Sequence, residues 1–170
     1  MYLKLIKEVI ILYSKSFGTL GCGIGKAIGA YYNTRKNVLL VVGDQGFQLN
    51  VQELQLIANE NLPIHILIIN NNSLGMIKDR EACKEYFVHT TIDSGFGNPK
   101  FELIANAYGI SYKKVHDIEQ LKPEEYRIPM ILEYDADERL ELFPKLLKGD
   151  SIDDMYPKLT DELLNDIRKM

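Results

Sequence analysis

The sequence predicts an α/β fold of three layers, α/β/α, with a mainly parallel sheet between two sets of helices. Three observations predict it. Two uninterrupted apolar runs, Val38-Leu39-Leu40-Val41-Val42 and Ile64-His65-Ile66-Leu67-Ile68-Ile69, read as strands buried on both faces. Between them lies a helical pattern ended by Pro63, which makes one βαβ unit. Strand and helix patterns then go on alternating as far as Tyr134.

Taken in order, residues 1–13 place Tyr2, Leu5, Ile6, Val9, Leu12 and Tyr13 on one helical face. Residues 9–12 alone would equally suit a short strand. Lys4, Lys7 and Glu8 break the apolar run and no small-residue cleavage site follows, so the segment reads as structural rather than as a signal peptide. Gly18-Thr19-Leu20-Gly21 reads as a loop feeding a helix over 22–32, whose Gly25, Ala27, Gly29 and Ala30 allow close packing. The Gly21-x-Gly23-x-Gly25 spacing is not that of a dinucleotide fingerprint.

After the first strand, Asn50 is placed to cap a helix, with Glu53 three positions on to complete a capping box. Val51, Leu54, Ile57 and Ala58 form its apolar face. A further helix begins at 74–77 and runs towards Lys84, and residues 90–99 read as an irregular loop. A helix over 101–108 offers Phe101, Leu103, Ile104, Ala107 and Tyr108 to the core, and Gly109 stops it. Strands follow at 110–115 and, after Pro129, at 130–134. The tail beyond Asp135 is polar, is restricted by Pro144 and Pro157, and offers a last helix over 159–167. The expected organisation is one domain over 1–170, with 1–15 an atypical N-terminal segment and 136–170 a C-terminal tail.

A chain of 170 residues can bury a sizeable core, and 46% hydrophobic with 26% charged residues is ordinary for a globular protein. The net charge of −4, without a Lys/Arg block, leaves no electrostatic footprint for nucleic acid. No stretch reaches the ~18 apolar residues of a membrane span. Cys22 and Cys83 match no zinc or CxxC spacing and suit a reducing compartment, so the expected location is cytoplasmic.

The chemistry concentrates at two strand ends. Asp44 lies just past the first strand and Asn71 just past the second, where open α/β sheets bind ligands. A carboxylate, an amide carbonyl and neighbouring backbone carbonyls make a hard-oxygen set suited to Mg²⁺ or Ca²⁺. A right-handed crossover between the strands places both ends on the same sheet edge.

Gly43-Asp44-Gln45-Gly46-Phe47-Gln48-Leu49-Asn50-Val51-Gln52-Glu53-Leu54, followed by Asn61-Leu62-Pro63-Ile64 and Asn70-Asn71-Asn72-Ser73-Leu74-Gly75-Met76-Ile77, resembles the thiamine-diphosphate enzymes, and among them the acetolactate synthase group. Their shared signature is a Gly-Asp-Gly turn followed some two dozen residues later by Asn-Asn; here Asn71 lies 27 positions after Asp44. Ser16-Phe17-Gly18-Thr19-Leu20-Gly21, Ala27-Ile28-Gly29-Ala30 and the tail from Phe143-Pro144-Lys145 to Asp154-Met155-Tyr156-Pro157 extend the resemblance.

The resemblance implies a thiamine-diphosphate-binding fold with thiamine diphosphate and Mg²⁺ as cofactors. Asp44, the Asn71 side chain and the Ser73 carbonyl would ligate the metal. Gly18, Thr19, Leu20, Gly43, Gln45, Gly46, Gly75 and Met76 would join Asp44 and Asn71 around the cofactor, with backbone amides at 45–46 and 75–76 on its phosphates. Leu20 stands where the family often has a Met that bends the cofactor. No residue of this chain is implied as catalytic. The family's activating glutamate belongs to a pyrimidine-binding domain that this sequence lacks, and family sites form between one subunit's pyrimidine domain and another's diphosphate domain.

The implied role is therefore half of a 2-oxo acid decarboxylase or carboligase site: a fragment or split subunit. It would work as a homo-oligomer or with a chain carrying the pyrimidine domain, on a small 2-oxo acid. Gln45 replaces the second glycine of the signature, which costs on the order of 1 kcal/mol if position 45 needs φ > 0. The region before Gly18 is shorter than in the family. A second reading is a non-catalytic structural or assembly module that kept the fold. A third, a plain nucleotide or phosphosugar binder, gives no reason for the Asp44 and Asn71 pair.

Other chemically able residues have plainer explanations. His65 sits inside a buried strand and reads as a core histidine. His89 and Tyr86 read as surface groups, His116 carries no motif, and Glu53 is explained by the capping box. Glu124-Glu125 and Asp153-Asp154 read as solvated faces.

Overall fold

The computed structural model describes residues 10–12, 18–82, 94–117, 121, 127–137 and 154–169. Helix α1 (Gly23–Thr34) leads into strand β1 (Val38–Gly43), followed by the short helix α2 (Asp44–Gln48). A 3₁₀ turn (Val51–Glu53) runs into α3 (Leu54–Asn59), and β2 (Ile64–Asn70) completes the unit. Then come α4 (Gly75–Ala82), α5 (Phe101–Ala107), β3 (Ser111–Val115), β4 (Met130–Asp135) and α6 (Asp161–Lys169). The four strands form one parallel sheet in the order β1-β2-β4-β3, so the predicted α/β/α class holds.

The two periods of the sequence explain the layers. Along β2 the side chains alternate between faces. Ile64, Ile66 and Ile68 join Ile24, Ala27 and Ile28 of α1, Phe47 of α2, Leu54 and Ile57 of α3, and Phe101 and Ala105 of α5 in the main core. Leu67 faces the other way and packs with Val115 and Leu132, flanked by Ile69, Leu121, Met130 and Tyr134. Strand β2 is buried almost throughout, as an interior parallel strand should be.

Strand β1 differs from the expectation of burial on both faces. It stands at one end of the sheet, and while Val38, Leu40 and Val42 pack into the core, Leu39 and Val41 are exposed among the described residues. An edge strand covered on one face alternates in burial even when its sequence is apolar throughout.

Two local expectations are also corrected. The capping box is not formed: the Asn50 Nδ2 donates to the Gly21 carbonyl at 2.8 Å, its Oδ1 accepts from Gln52 Nε2, and the first turn is 3₁₀. Asn50 thereby ties the glycine loop ahead of α1 to the region behind α2. Position 45 needs no positive φ either, because Gln45 is helical, so the glutamine carries no backbone penalty.

Helix α3 ends before Pro63, with Asn61 left-handed (φ 47°) and the Leu62 amide donating to the Ile57 carbonyl. Gly109 (φ 70°) ends α5 in the same way, as expected, with Ile110 N donating to Ala105 O. His65 is fully buried, with Nε2 3.1 Å from the Ile128 carbonyl, and is a core residue as read from the sequence. The predicted final helix is α6, while residues 10–12 carry no helix or strand. Most of the N-terminal segment, His89, Tyr86, Cys83, Glu124, Glu125 and Asp153 lie outside the described residues. Among the described residues no helix is long and apolar enough to cross a membrane.

Candidate functional site

Register sets the site. Gly43 of β1 is level with Ile69 of β2, and Asn70 is level with Asp135 of β4, so the carboxyl ends of three parallel strands reach the same edge. Asp44 begins α2 immediately after β1 and is 2% exposed. Its Oδ1 accepts the Gln45 backbone N–H at 2.7 Å, and its Oδ2 accepts from Asn98 Nδ2 at 2.6 Å. Burial holds the Asp44 carboxyl above its ordinary pKa, opposed by hydrogen bonds from Asn98 and from the backbone of Gln45, Asn72 and Ser73. The hydrogen bonds offset part of what burial costs the charged carboxylate.

Asn98 was not singled out by sequence reasoning, because it lies in the stretch read as irregular loop. Packing brings it here. Phe101 at the start of α5 meets Phe47 of α2 edge-on, ring centroids 5.6 Å apart, and both rings are buried. That contact seats the loop ahead of α5 over the end of β1. The Asn98 Nδ2 then donates to Asp44 Oδ2, to Asn70 Oδ1 at 2.8 Å and, at 3.4 Å, to Asn72 Oδ1. Its Oδ1 accepts from Gln45 Nε2 at 2.8 Å and Gln48 Nε2 at 3.0 Å. An ionised carboxylate only accepts, so the short bond to Asp44 fixes which end of the amide faces it.

The triple asparagine divides its work. Asn70, 7% exposed, accepts from Asn98 and donates its Nδ2 to Glu133 Oε1 at 2.8 Å. Asn72 adopts the left-handed conformation (φ 52°), which Asn tolerates better than most residues, and its N–H donates to Asn70 Oδ1. Asn71 Oδ1 accepts the Ser73 N–H at 3.3 Å, and a Cβ on Gly75 would stand 3.0 Å from Asn71 Nδ2. Glycine at 75 thus lets the start of α4 close on the Asn71 amide. The Ser73 hydroxyl is buried and has no hydrogen-bond partner among the described residues.

Glu133, in the middle of β4 and 7% exposed, extends the network: Tyr112 of β3 donates its hydroxyl to Glu133 Oε2 at 2.6 Å. The chain Tyr112–Glu133–Asn70–Asn98–Asp44 therefore runs from β3 to the end of β1. An open cleft of about 420 Å³ lies alongside, lined in part by Asn70, Asn72, Asn98, Tyr112 and Glu133. Lys114 pairs with Asp135 at 2.7 Å near its outer rim.

The remaining residues expected around a cofactor fall nearby. Gly18 and Gly21 have positive φ, and a Cβ on Gly21 would come within 2.7 Å of Leu49 Cβ. Leu20 is 56% exposed, and its Cδ1 would lie 3.7 Å from a Cβ on Gly46. A Cβ on Gly46 would also meet Val42 Cγ2 at 3.1 Å, so glycine lets α2 turn back onto β1. Thr19 is exposed, as are Gly43 and Met76. Gly75 and Met76 form the first turn of α4. No group of three His, Cys, Asp or Glu side chains able to hold a metal occurs among the described residues, so cation chemistry here falls to Asp44 with amide, hydroxyl and carbonyl oxygens.

That donor set fits a hard divalent cation on two grounds: the buried Asp44 carboxylate gathers with the Asn70 and Asn72 oxygens on the Asn98 amino group, and the buried Ser73 hydroxyl has no hydrogen-bond partner among the described residues. No hydrogen bond among the described residues joins the predicted ligand Asn71 to Asp44. Comparison with known proteins agrees with the resemblance read from the motifs. The chain is 35% identical over 159 residues to the acetolactate synthase large subunit of Lactococcus lactis, covering 89% of this chain and 27% of that protein. It is 29% identical over 155 residues to the acetolactate synthase isozyme 2 large subunit of Escherichia coli, covering 86% and 28% respectively. An uncharacterized protein of Methanocaldococcus jannaschii, MJ0663, is 34% identical over 119 residues, 67% of this chain and 21% of that one. The chain thus spans about a quarter of the length of the curated relatives it matches. The family model described as thiamine pyrophosphate enzyme, C-terminal TPP binding domain, matches residues 2–127, and the chain belongs to that family.

Proposed function

We propose that this chain binds thiamine diphosphate through Mg²⁺ and forms the diphosphate half of an acetolactate synthase-like 2-oxo acid decarboxylase or carboligase. The observation that carries the reading is the buried Asp44 carboxylate at the end of β1, level with the asparagine cluster that ends β2. Asp44, Asn71 and the Ser73 carbonyl would hold the metal. Backbone N–H groups of Gly46, and of Gly75 and Met76 in the first turn of α4, would face the diphosphate, as helix N-termini suit anions, and that of Gln45 would join them on leaving Asp44 Oδ1. Gly18, Thr19, Leu20 and Gly43 would complete the cofactor's surroundings, Leu20 beneath it. When bound, the cofactor supplies the carbanion chemistry; the protein's share is binding, orientation and exclusion of water.

The reading calls for a pyrimidine-binding domain with its activating group, supplied by a second chain or within an oligomer. The second reading is a non-catalytic module that kept the fold. Isothermal titration with thiamine diphosphate and MgCl₂ tests the binding claim. Wild type should bind, and Asp44→Ala should bind at least tenfold more weakly, since it removes the charged ligand. Equal binding by both would overturn the proposed site. Reconstitution with a pyrimidine-domain chain separates the two readings: turnover of a 2-oxo acid supports the enzyme half, and a stable inactive complex supports the module.

A further inference from the structure

We infer that Asn98 is an internal latch on the cation site: its side-chain amino group holds Asp44 Oδ2, the carboxylate oxygen that a cation ligated by Asp44 would need, together with the side-chain oxygens of Asn70 and Asn72. The inference rests on the reading that Asp44 ligates a metal, and deepens it by naming the group that opposes entry. The geometry is specific. One nitrogen lies 2.6 Å from a carboxylate oxygen, 2.8 Å from one amide oxygen and 3.4 Å from another. All three are hard acceptors, and the nitrogen offers them the positive ends of its N–H bonds. An amino group so placed does in part what a cation does, gathering oxygens that would otherwise repel one another.

The other end of Asn98 shows why it acts as a latch and not as a ligand. Its Oδ1, the end able to coordinate a metal, is turned away and held by two donors, Gln45 Nε2 and Gln48 Nε2. Both glutamines belong to α2, the helix that Asp44 begins. The amide is therefore clamped donor-inward, and a cation approaching Asp44 Oδ2 from this side meets N–H hydrogens. Gln45, which departs from the glycine of the family signature, thereby acquires a role: it orients the latch.

Asn98 reaches the site from 54 residues away in sequence, on the loop leading into α5. Release would leave the Phe47–Phe101 contact in place, because Phe101 is anchored separately in the core. Opening is then a local event at the loop, and cation binding competes with the latch as a population shift would.

The test compares wild type with Asn98→Ala, titrated with MgCl₂ in the presence of saturating thiamine diphosphate, alongside thermal unfolding without metal. Loss of the latch should tighten Mg²⁺ binding about tenfold, the order expected when one charge-assisted hydrogen bond no longer competes. Melting without metal should move down, and the Mg²⁺-induced rise in Tm should grow. Equal or weaker Mg²⁺ binding by Asn98→Ala would show that Asn98 merely positions the ligands, overturning the latch while leaving the metal site standing. If neither protein binds Mg²⁺, and Asp44→Ala behaves as they do, the metal reading falls and the latch with it. Should Asn98→Ala fail to fold, wild type alone decides. Side-chain amide resonances of Asn98, Gln45 and Gln48 in ¹⁵N-labelled protein should shift with the calorimetric midpoint as Mg²⁺ is added. Resonances that stay fixed while Mg²⁺ binds overturn the inference.

Discussion

Replacing Tyr112 by Phe isolates one link of the polar network that backs the site. The wild-type hydroxyl donates at 2.6 Å to a carboxylate that is 7% exposed, and Asn70 supplies that carboxylate's other side-chain donor. Phenylalanine keeps the ring and removes only the donor. A hydrogen bond to a charged group contributes roughly 1.5–3 kcal/mol, and a buried acceptor left short of a donor falls in the same range, so the expected loss is about 2 kcal/mol. For a chain of this size that lowers Tm by roughly 4–8 °C. Urea unfolding at pH 7 measures the loss directly, and its slope should not change.

Alkaline pH supplies a second signature. Burial, with the hydrogen bond to Glu133 and the charge of that carboxylate, holds the Tyr112 phenol above its ordinary value of 10.0. The folded state keeps this proton more tightly than the unfolded chain does. The associated stability is fully present below pH 10 and declines as pH rises beyond it. The deficit of Tyr112→Phe should therefore narrow above pH 10. In a Glu133→Gln background the same substitution should cost clearly less, because the charged acceptor is gone. A loss below about 0.5 kcal/mol at pH 7, with the deficit constant above pH 10, would refute the reasoning, since a value that small lies within what exposed pairs contribute.

Two further predictions concern the backbone and the core. Gly21→Ala forces a side chain into a left-handed residue (φ +88°) with its Cβ 2.7 Å from Leu49 Cβ, and should cost about 2 kcal/mol or more, read as a lower urea midpoint. His65 is held below its ordinary 6.5 by burial, against a hydrogen bond to the Ile128 carbonyl that acts the other way. The unfolded chain thus binds the proton first, so stability should fall as pH drops below 6.5, with a slope up to about 1.4 kcal/mol per pH unit, and His65→Gln should flatten that limb.

What the sequence revealed was what local pattern can encode. The apolar runs located β1 and β2, Gly109 marked the end of α5, and Asp44 was recognised as a strand-end carboxylate. Whether an apolar strand is covered on one face or two is a tertiary matter, and Leu39 and Val41 show it. Asn50 satisfied every local rule for a capping residue, yet the Gly21 carbonyl, 29 positions earlier, takes its amide. Asn98 had no local signal beyond a polar residue before Pro99, because its partners lie between 26 and 54 positions away. Glu133 did leave a trace: a charged residue inside the run Met130-Ile131-Leu132-Glu133-Tyr134 asks for a buried donor, and Tyr112 and Asn70 supply them.

The strand order β1-β2-β4-β3 has a consequence for how the molecule is made. Strand β4 comes last of the four in the chain yet lies inside the sheet, paired with β2 on one side and β3 on the other. It also delivers Glu133, on which the Asn70 amide rests. During synthesis, β1 and β2 leave the ribosome well before their interior neighbour. Until residue 135 has emerged, β2 presents a bare apolar edge and Asn70 has no carboxylate to hold it. The site is thus finished by the strand farthest from Asp44 in sequence, and truncation ahead of β4 removes a keystone rather than a border.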